Sequence, residues 1–441
     1  MPKLLIIQAA TYCSPTERRP FRIRKRKLVG AVMPYLAALA PSRWDVTLCD
    51  DAIEEPDYAA VFDAVAITVR TVTSLRAYEI ADRFRKKGIP VLMGGPHATF
   101  HAEEMAEHAD GVCIGECEEI FPVMLEHALE RRLQTFYRRE TAASLAGMPL
   151  PRWDLLHSKD YVFYAPVVIQ QSRGCPYTCD FCAEYRLNGD YGHRARPVPE
   201  VVEEIRRSGH GHIFFAASQF VGDKDHTMQL LEALIPLKVR WSALFSPRFG
   251  LDAEFLDLAK RSGLLHVNMG IESISQGTLK VMHKEFNRSH SYEDMIKNLN
   301  EKNISYSFNF VFGSDSDDPE IFSSTLHFLQ ENKVPAAYFN LLTPLRGTPL
   351  HDRMKSAGRL IDEPNMDRWA GVRFHFQPSQ MSGAELADQI HKLQREFYSW
   401  RSILRRLRFP RTQADLASWN VNLTQRRVAL HSETMNEFSE F

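Results

Sequence analysis

The sequence reads Ser172-Arg173-Gly174-Cys175-Pro176-Tyr177-Thr178-Cys179-Asp180-Phe181-Cys182 directly after a short apolar run at residues 167–170. This segment spaces three cysteines as Cys-x3-Cys-x2-Cys on what we predict to be the loop after a β-strand. Three thiolates this close indicate an iron–sulfur cluster or a zinc ion, because soft sulfur ligands select these metals. Zinc would need a fourth ligand, for which His193 is the nearest downstream histidine, but no second Cys-x2-Cys pair is present to favour it. A [4Fe-4S] cluster with three protein ligands has one open iron, which can bind and activate a small molecule.

The other four cysteines are scattered through the first third of the chain, at Cys13, Cys49, Cys113 and Cys117. A total of seven is odd and disfavours a complete set of disulfides, so we expect reduced thiols that behave as small apolar side chains. No apolar run approaches the ~20 residues that span a bilayer, and the N-terminus predicts a strand rather than a signal peptide. We therefore expect a cytoplasmic protein.

Composition gives broad limits on the 441 residues. Hydrophobic residues make up 44% of the chain, which is enough for a sizeable core and excludes wholesale disorder. Lys and Arg total 54 against 55 for Asp and Glu, a net charge of -1. Such a balance argues against a protein held to nucleic acid by bulk electrostatics, so no nucleic-acid partner is expected.

Downstream of the cysteines, strand-like runs alternate with helical periodicity from about residue 161 to 350. This alternation predicts six parallel strands that form a partial (β/α)6 barrel of the TIM type. The predicted strands lie at residues 167–170, 213–216, 239–245, 266–270, 305–312 and 337–342. Barrel enzymes carry their chemistry at the carboxyl ends of the strands, and the cysteines follow the first strand.

Upstream, residues 1–140 show the same alternation and predict an α/β domain with a Rossmann-like parallel sheet. Gly94, Gly95 and Gly115 follow two of its strands, so they mark either a ligand site at the carboxyl edge of the sheet or simply tight turns. Residues 141–160, which contain Pro149 and Pro151, are interpreted as a linker to the barrel.

The third part, residues 351–441, is polar and predicted to be helical. Ser382 and Glu385 form a capping-box pattern at the start of one amphipathic helix. Its apolar stripe comprises Leu386, Ile390, Leu393, Phe397, Trp400, Leu404 and Leu407, and its other face carries Lys392, Arg395, Arg405 and Arg406. A basic amphipathic helix docks on its own domain or lies on a membrane surface, so peripheral membrane contact stays open.

The cysteine spacing, with Phe181 before the last cysteine and a barrel-like repeat after it, resembles the radical S-adenosylmethionine (SAM) superfamily. The resemblance implies that Cys175, Cys179 and Cys182 hold a [4Fe-4S] cluster whose open iron binds SAM. It further implies that one electron cleaves SAM to a 5′-deoxyadenosyl radical, which abstracts hydrogen from an unactivated carbon.

The same resemblance places four residues around SAM: Tyr177, Phe181, Arg248 and Glu272. Glu272 belongs to the stretch Gly270-Ile271-Glu272-Ser273, which is typical of a middle barrel strand in this superfamily. Relatives usually carry an acidic turn after the second barrel strand, whereas this chain has Phe215-Ala216-Ala217-Ser218-Gln219-Phe220. The difference predicts a modified substrate pocket.

In the N-terminal part, Gly94-Gly95-Pro96-His97-Ala98-Thr99 and Gly115-Glu116-Cys117-Glu118 resemble the cobalamin (B12)-binding domain that precedes many radical SAM barrels. The resemblance implies that Gly94, Gly95, His97 and Gly115 surround cobalamin, with His97 as a turn residue rather than a cobalt ligand. Residues 11–18 lack the histidine that an Asp-x-His-x-x-Gly loop offers to cobalt, as they do in many relatives of this class. The class includes bacteriochlorophyll-cyclase-like and hopanoid-modifying enzymes.

The sequence therefore predicts a cobalamin-dependent radical SAM enzyme that methylates an unactivated carbon of a small-molecule or natural-product substrate. Flavodoxin or ferredoxin is the expected electron donor. Cyclisation, rearrangement or oxidation without methyl transfer is the alternative use of the same radical, and a non-enzymatic metal-stabilised binding protein is a further one. RNA methylthiotransferases fit less well, because Cys13, Cys49 and Cys113 lie on separate elements. The basic run from Arg18 to Lys27 is interpreted as a solvated loop, with an anion-binding segment or a contact with RNA as the alternatives.

Overall fold

The computed structural model describes residues 1–13, 17–189, 191–363, 365, 368 and 373–430. Two six-stranded sheets and one two-stranded ribbon make up its strands. Part of the predicted loop at residues 11–18, part of residues 361–372 and the final residues 431–441 lie outside the described residues.

The first sheet is built by the N-terminal third of the chain. Its strands are β1 (Lys3–Gln8), β2 (Asp45–Asp50), β3 (Ala64–Thr68), β4 (Val91–Gly94), β5 (Gly111–Ile114) and β6 (Phe136–Arg138). Its helices are α1 (Val32–Leu39), α2 (Ser74–Arg85), α3 (Pro96–His108) and α4 (Ile120–Leu129). The strands are parallel in the order β2-β1-β3-β4-β5-β6, and a separate apolar cluster covers each face. The inner strands are nearly continuous apolar runs, as a sheet with two covered faces requires, and the Rossmann-like prediction is confirmed.

The second sheet forms the partial barrel that the sequence predicts. Its strands, with the ribbon strands β8 and β9 in chain order, are β7 (Val167–Ile169), β8 (Ser172–Arg173), β9 (Arg194–Ala195), β10 (His212–Phe215), β11 (Arg240–Leu244), β12 (Leu264–Glu272), β13 (Ser305–Phe312) and β14 (Ala336–Leu341). The helices after these strands are α5 (Glu184–Leu187), α6 (Val198–Ser208), α7 (Lys224–Leu234), α8 (Ala253–Arg261), α9 (Gln276–Val281), α10 (Tyr292–Glu301) and α11 (Glu320–Glu331). The six barrel strands are parallel in the order β14-β13-β12-β11-β10-β7.

Side chains along the barrel strands alternate between two environments. On β12, Val267, Met269 and Ile271 are fully buried in the cluster between the sheet and its helices, whereas Asn268 and Gly270 on the inner face are half-buried. The same alternation runs along β11 and along the carboxyl-terminal parts of β13 and β14. The inner face is therefore open enough to admit ligands, in contrast to a TIM barrel whose interior is filled by side chains.

The two sheets are joined by more than the chain connection between β6 and β7. The segment between β1 and α1 leaves the first sheet and lies along the free edge of β7. There Val29 N donates to Pro166 O (2.9 Å), and Val168 N donates to Val29 O (2.9 Å). The N-terminal part of the chain thereby extends the barrel sheet by one bridge and is packed into its core.

The C-terminal helices are α12 (Pro349–Ser356), α13 (Gly383–Phe397), α14 (Trp400–Arg406) and α15 (Gln413–Leu430). The capping box of Ser382 and Glu385 is confirmed at the start of α13. The apolar stripe of α13 packs into the barrel core. No helix in the described part of the chain combines the length and hydropathy that crossing a membrane requires.

The prediction of one helix through Leu407 is wrong, because the helix ends at Phe397. Ser399 starts a new helix by accepting a hydrogen bond from Ser402 N, and this break turns Trp400 and Leu404 towards solvent. Arg406, expected on the polar face, is instead buried (4% exposed) and donates to the carbonyl groups of the segment before β14. A break of two residues between α13 and α14 is enough to change the direction in which the later apolar side chains point. Helical periodicity in the sequence does not reveal such a break.

Candidate active site

The cysteine loop begins at a backbone position that favours glycine. β8 and β9 pair in an antiparallel ribbon, and Gly174 follows β8 at φ +80°. A Cβ on Gly174 would lie 2.0 Å from the carbonyl oxygen of Gly192. Glycine therefore lets the chain turn out of the ribbon directly before Cys175.

Asp180 anchors the middle of the loop at three points. Its N–H donates to Met282 O (3.1 Å), and its carbonyl oxygen accepts from Leu350 N (3.1 Å). Its buried carboxylate accepts two hydrogen bonds from Arg353, at 2.8 and 2.7 Å. The loop is thus held between the end of α9 and the start of α12, which fixes the positions of the cysteines on either side.

Burial controls the acidity of the three thiols. It raises the pKa of Cys175 to about 11 and that of Cys179 to about 12, and it also raises the pKa of Cys182. The nearby charge of Lys284 opposes this effect at Cys179. Metal binding to such thiols requires that their protons leave, so loading of the site is coupled to deprotonation.

The three cysteine sulfurs do not form one compact group of metal ligands. Zinc held by sulfur at about 2.3 Å in a tetrahedral site brings its sulfur ligands to within about 4 Å of one another. In the described part of the chain, the only three His, Cys, Asp or Glu ligand atoms within 4.8 Å of one another belong to His97, His101 and Glu104. The three cysteine sulfurs therefore do not all lie within 4.8 Å of one another. His193 does not join them, because its ring packs on Gly222.

A buried ion pair between Glu272 and Lys284 lies beside the cysteine loop. The two side chains are 8% and 12% exposed. Burial opposes the charge on Lys284, but Glu272 and the cysteines outweigh it and raise the pKa of the amine. Gly270 provides the room, since a Cβ there would lie 2.4 Å from Glu272 Oε1. Glu272 itself has φ +65°, an unfavourable conformation for a non-glycine residue that is typical of functional sites.

Aromatic rings connect this ion pair to Arg248. Lys284 Nζ lies 6.0 Å from the ring centroid of Phe181 and 5.8 Å from that of Phe286. Phe286 stacks on Tyr177 with 3.9 Å between centroids, and Arg248 lies 5.7 Å from the Tyr177 ring. The four residues that the superfamily resemblance assigns to SAM thus form one neighbourhood beside the cysteine loop.

A cavity of about 370 Å³ separates the carboxyl edges of the two sheets. One wall contains the ends of β3, β4 and β5, including Gly94, Gly95 and Gly115, with apolar side chains such as Phe121 behind them. The other wall contains residues 172–174 and the small residues 216–218. The cysteine loop therefore starts in the wall of the inter-sheet cavity.

The glycines give the chain room at this edge. Gly95 has φ +103°, and a Cβ on it would lie 2.8 Å from Val69 O. Gly115 has φ +82° with no atom within 4 Å of its Cβ position, so its backbone is open. The open backbone at Gly115 would let a large ligand lie close to this strand end.

The structure does not bring His97 to this cavity. His97 is fully buried in the first turn of α3, with Nε2 2.8 Å from Tyr78 OH and Nδ1 3.2 Å from Thr71 Oγ1. The turn at Gly95 directs its side chain into the domain core. His97 therefore supports the strand end from behind, as a structural residue.

An ion-pair network joins the two walls of the cavity. Arg173 donates to Glu116 (3.0 Å) and to Glu118 (2.5 Å), and Arg194 donates to Glu116 (2.6 Å). Burial opposes the ionisation of Glu116, but the hydrogen bonds from Arg194, Ala143 N and Arg173 outweigh it and hold its pKa below the usual range. The network fixes the start of the cysteine loop to the carboxyl end of β5.

Polar atoms without protein partners lie at the same place. In the described part of the chain, Ser172 Oγ and Glu118 Oε2 line the cavity region, are buried and accept or donate no hydrogen bond. Buried polar atoms in native proteins are normally paired, so these atoms fit a polar ligand between the walls. Together with the open backbone at Gly115, they suit cobalamin, and the three thiols, one buried and two half-buried, suit a [4Fe-4S] cluster.

Sequence reasoning did not assign a role to the cavity network or to Phe286. Arg173 and Glu116 are 57 positions apart, so no local pattern links them. The available signal was the position of charged residues directly after the predicted strand ends, at Gly115-Glu116 and Arg173-Gly174.

Comparison with known proteins agrees with this division. Residues 169–329 match the family model of the radical SAM superfamily, and residues 31–125 match that of the B12 binding domain. The chain is 32% identical over 387 residues to bacteriochlorophyllide d C-12(1)-methyltransferase of Chlorobaculum tepidum, covering 84% of this chain and 83% of the relative. It is 26% identical to hopanoid C-2 methylase of Rhodopseudomonas palustris, covering 77% and 67%.

A solved structure shares the fold over nearly the whole chain. The radical SAM methyltransferase TsrM from Kitasatospora setae, with cobalamin and a [4Fe-4S] cluster bound, superposes with a TM-score of 0.68. The match covers 98% of this chain and 99% of TsrM at 16% identity, so it speaks for the fold alone.

Proposed function

The chain belongs to the radical SAM superfamily, in the branch with an N-terminal B12-binding domain, and we propose that it methylates an unactivated carbon of a small-molecule natural product. It is a cobalamin-dependent methyltransferase that uses a [4Fe-4S] cluster and SAM. When bound, the cluster delivers the electron that cleaves SAM, and cobalamin carries the methyl group. The chain's own residues hold these groups next to one another and keep water away.

The observation that carries the proposal is the shared wall between the two sites. Residues 172–174 line the cavity between the sheets, and Cys175 follows them directly. A ligand on the glycine-lined strand ends therefore faces the start of the cysteine loop across one cavity. Transfer of a group between two cofactors needs this proximity, which a cluster in a separate binding module would not provide.

We propose a role for each predicted site residue except His97, which the structure places in the domain core and not in the cavity. Cys175, Cys179 and Cys182 are the cluster ligands. Around SAM, the ion pair of Glu272 and Lys284 supplies paired charges for the amino and carboxylate groups. Three further residues complete that pocket: Tyr177, Phe181 and Arg248. On the opposite wall, the cobalamin contacts are Gly94, Gly95 and Gly115.

A cyclic tetrapyrrole is the first substrate class to test. The 32% identical relative is named for its action on bacteriochlorophyllide d, and the match spans most of both chains. The electron donor we propose is flavodoxin or ferredoxin, with the reaction in the cytoplasm. Methylation is favoured over cyclisation because the 32% identical relative is named a methyltransferase, whereas the relatives named as cyclases are 23% and 26% identical.

Anaerobic reconstitution tests the proposal. The full chain is loaded with iron, sulfide and hydroxocobalamin, and its products from SAM are quantified with bacteriochlorophyllide d as trial substrate. We expect 5′-deoxyadenosine and S-adenosylhomocysteine together, the second only when corrinoid is bound. Cys179→Ala should abolish both products, whereas Cys49→Ala, which changes a buried thiol in the first sheet, should retain them. SAM cleavage without S-adenosylhomocysteine would contradict the methylase assignment.

A further inference from the structure

One face of the short helix α14 and the loop after it is both apolar and positively charged. Trp400 and Leu404, one turn apart, are 47% and 64% exposed, and Phe409 in the following loop is 77% exposed. Four exposed arginines stand between and beside them: Arg401, Arg405, Arg408 and Arg411. We call these seven residues the arginine face.

The charge of this face differs from that of the rest of the molecule. Residues 398–412 contain five arginines and no acidic residue, although the whole chain has a net charge of -1. Arg406 is buried, so four of the five positive charges are at the surface. The partner of Arg405 is Glu331, at 3.4 Å with both side chains more than half exposed, a contact that water weakens.

The arginine face is held rigidly by the protein beneath it. Arg406 donates to the carbonyl groups of Val334 (2.7 Å) and Pro335 (2.8 Å), which anchors the inner side of α14. Trp419 Nε1 on α15 donates to Arg408 O (2.7 Å), and Arg426 of α15 lies 5.0 Å from the Trp400 ring centroid. The exposed apolar side chains are therefore presented by a supported backbone and not by a loose loop.

The position of the face leaves the active site accessible. Val334 and Pro335 directly precede β14, and Thr412 contacts Asn303 before β13, so the face lies at the amino ends of the barrel strands. The cysteine loop and the inter-sheet cavity lie at the carboxyl ends. A partner on the arginine face would not cover the cofactors.

We propose that the arginine face binds the surface of an anionic phospholipid bilayer. Arginines attract the acidic headgroups, while Trp400, Leu404 and Phe409 enter the boundary between headgroups and acyl chains. A partner that matches both the exposed arginines and the exposed apolar side chains must present a flat, negatively charged surface with an apolar layer beneath it. The amino ends of the barrel strands then lie next to the membrane, and the cofactor sites at the carboxyl ends face away from it, towards the electron donor. This docking is independent of the proposed substrate.

Co-sedimentation with vesicles tests the proposal. The reconstituted full chain is mixed with vesicles of equal phosphatidylcholine and phosphatidylglycerol, or of phosphatidylcholine alone. We expect binding to the anionic vesicles and little to the neutral ones. Arg401→Gln/Arg408→Gln/Arg411→Gln should weaken the partition coefficient roughly 100-fold, about fivefold for each arginine. Trp400→Ser/Phe409→Ser should release the protein from the same vesicles.

Matched controls separate a surface effect from loss of folding. Arg206→Gln/Arg207→Gln, on the exposed side of α6, removes positive charge elsewhere and should bind as the wild type does. All variants should cleave SAM at the wild-type rate. Vesicle binding therefore reports on docking and SAM cleavage on the proposed chemistry, so that a failure of one is distinguished from a failure of the other. The proposal is overturned if the wild-type protein does not bind anionic vesicles, or if the arginine variant binds them as strongly as the wild type does. It is also overturned if a single-stranded RNA or a second copy of the chain binds the face while vesicles do not.

Discussion

Gly174→Ala should inactivate the enzyme at the cysteine loop. The new Cβ would lie 2.0 Å from Gly192 O, whereas Cβ contacts in proteins essentially never fall below 3.0 Å. The ribbon or the cysteine loop must therefore move by about 1 Å, and a misplacement of that size at a reacting site costs about 100-fold in rate. The left-handed backbone adds about 1–2 kcal/mol of strain for alanine.

Gly192→Ala supplies the matched control, because it carries the same strain without the clash. Gly192 has φ +69° and no atom within 4 Å of its Cβ position. Both variants should lose a similar 1–2 kcal/mol of stability from the backbone, but only Gly174→Ala should move Cys175. Iron and sulfide content and the rate of 5′-deoxyadenosine formation, measured on anaerobically reconstituted protein, separate the two. If Gly174→Ala retains cluster and rate as Gly192→Ala does, the ribbon does not position the loop and our reasoning fails.

Three further perturbations probe the neighbouring features. Lys284→Met leaves Glu272 as an unpaired buried charge and should lower the free energy of unfolding in urea by about 3–5 kcal/mol. The double variant Glu272→Gln/Lys284→Met should recover most of this loss, because it no longer contains the buried charge. Equal stability of the single and double variants would contradict this prediction. Glu116→Ala removes the acceptor shared by Arg173 and Arg194 and should weaken corrinoid retention on gel filtration at least about tenfold. Glu119→Ala, which changes an exposed side chain, is the control. Equal corrinoid retention by both variants would show that the ion-pair network does not help to hold corrinoid in the cavity. Burial lowers the pKa of His266 to about 4 in the folded protein, so the unfolded chain takes up the proton first and the free energy of unfolding should fall as the pH drops from about 6.5 to 4. His266→Gln should reduce this dependence of the free energy of unfolding on pH. An unchanged dependence would assign it to other groups.

Local patterns in the sequence carried the predictions of the family and of the two sheets, which are confirmed. The cysteine spacing lies within eight consecutive residues, and the strand runs of both sheets are short and apolar, so each is readable without knowledge of distant residues. Gly94, Gly95 and Gly115 were placed correctly at the carboxyl ends of strands, because parallel α/β sheets bring those ends to one edge.

Long-range contacts and rotations of the chain explain what the sequence did not reveal. The ion pairs of Arg173 join two sheets through residues more than fifty positions apart, and nothing in either segment specifies the partner. The break at Ser399 turned a predicted core stripe into the exposed Trp400 and Leu404. The direction of the His97 side chain depends on the conformation of Gly95, which composition does not fix.

We propose that the cluster site and the corrinoid site act as one centre across the inter-sheet cavity. The most direct test uses SAM with a deuterated methyl group and follows the label by mass spectrometry in the reconstituted full chain with bacteriochlorophyllide d. We predict that the deuterated methyl group appears in the substrate only when both the cluster and the corrinoid are bound. Transfer of the label by protein without corrinoid, or modification of the substrate without the label, would contradict the account.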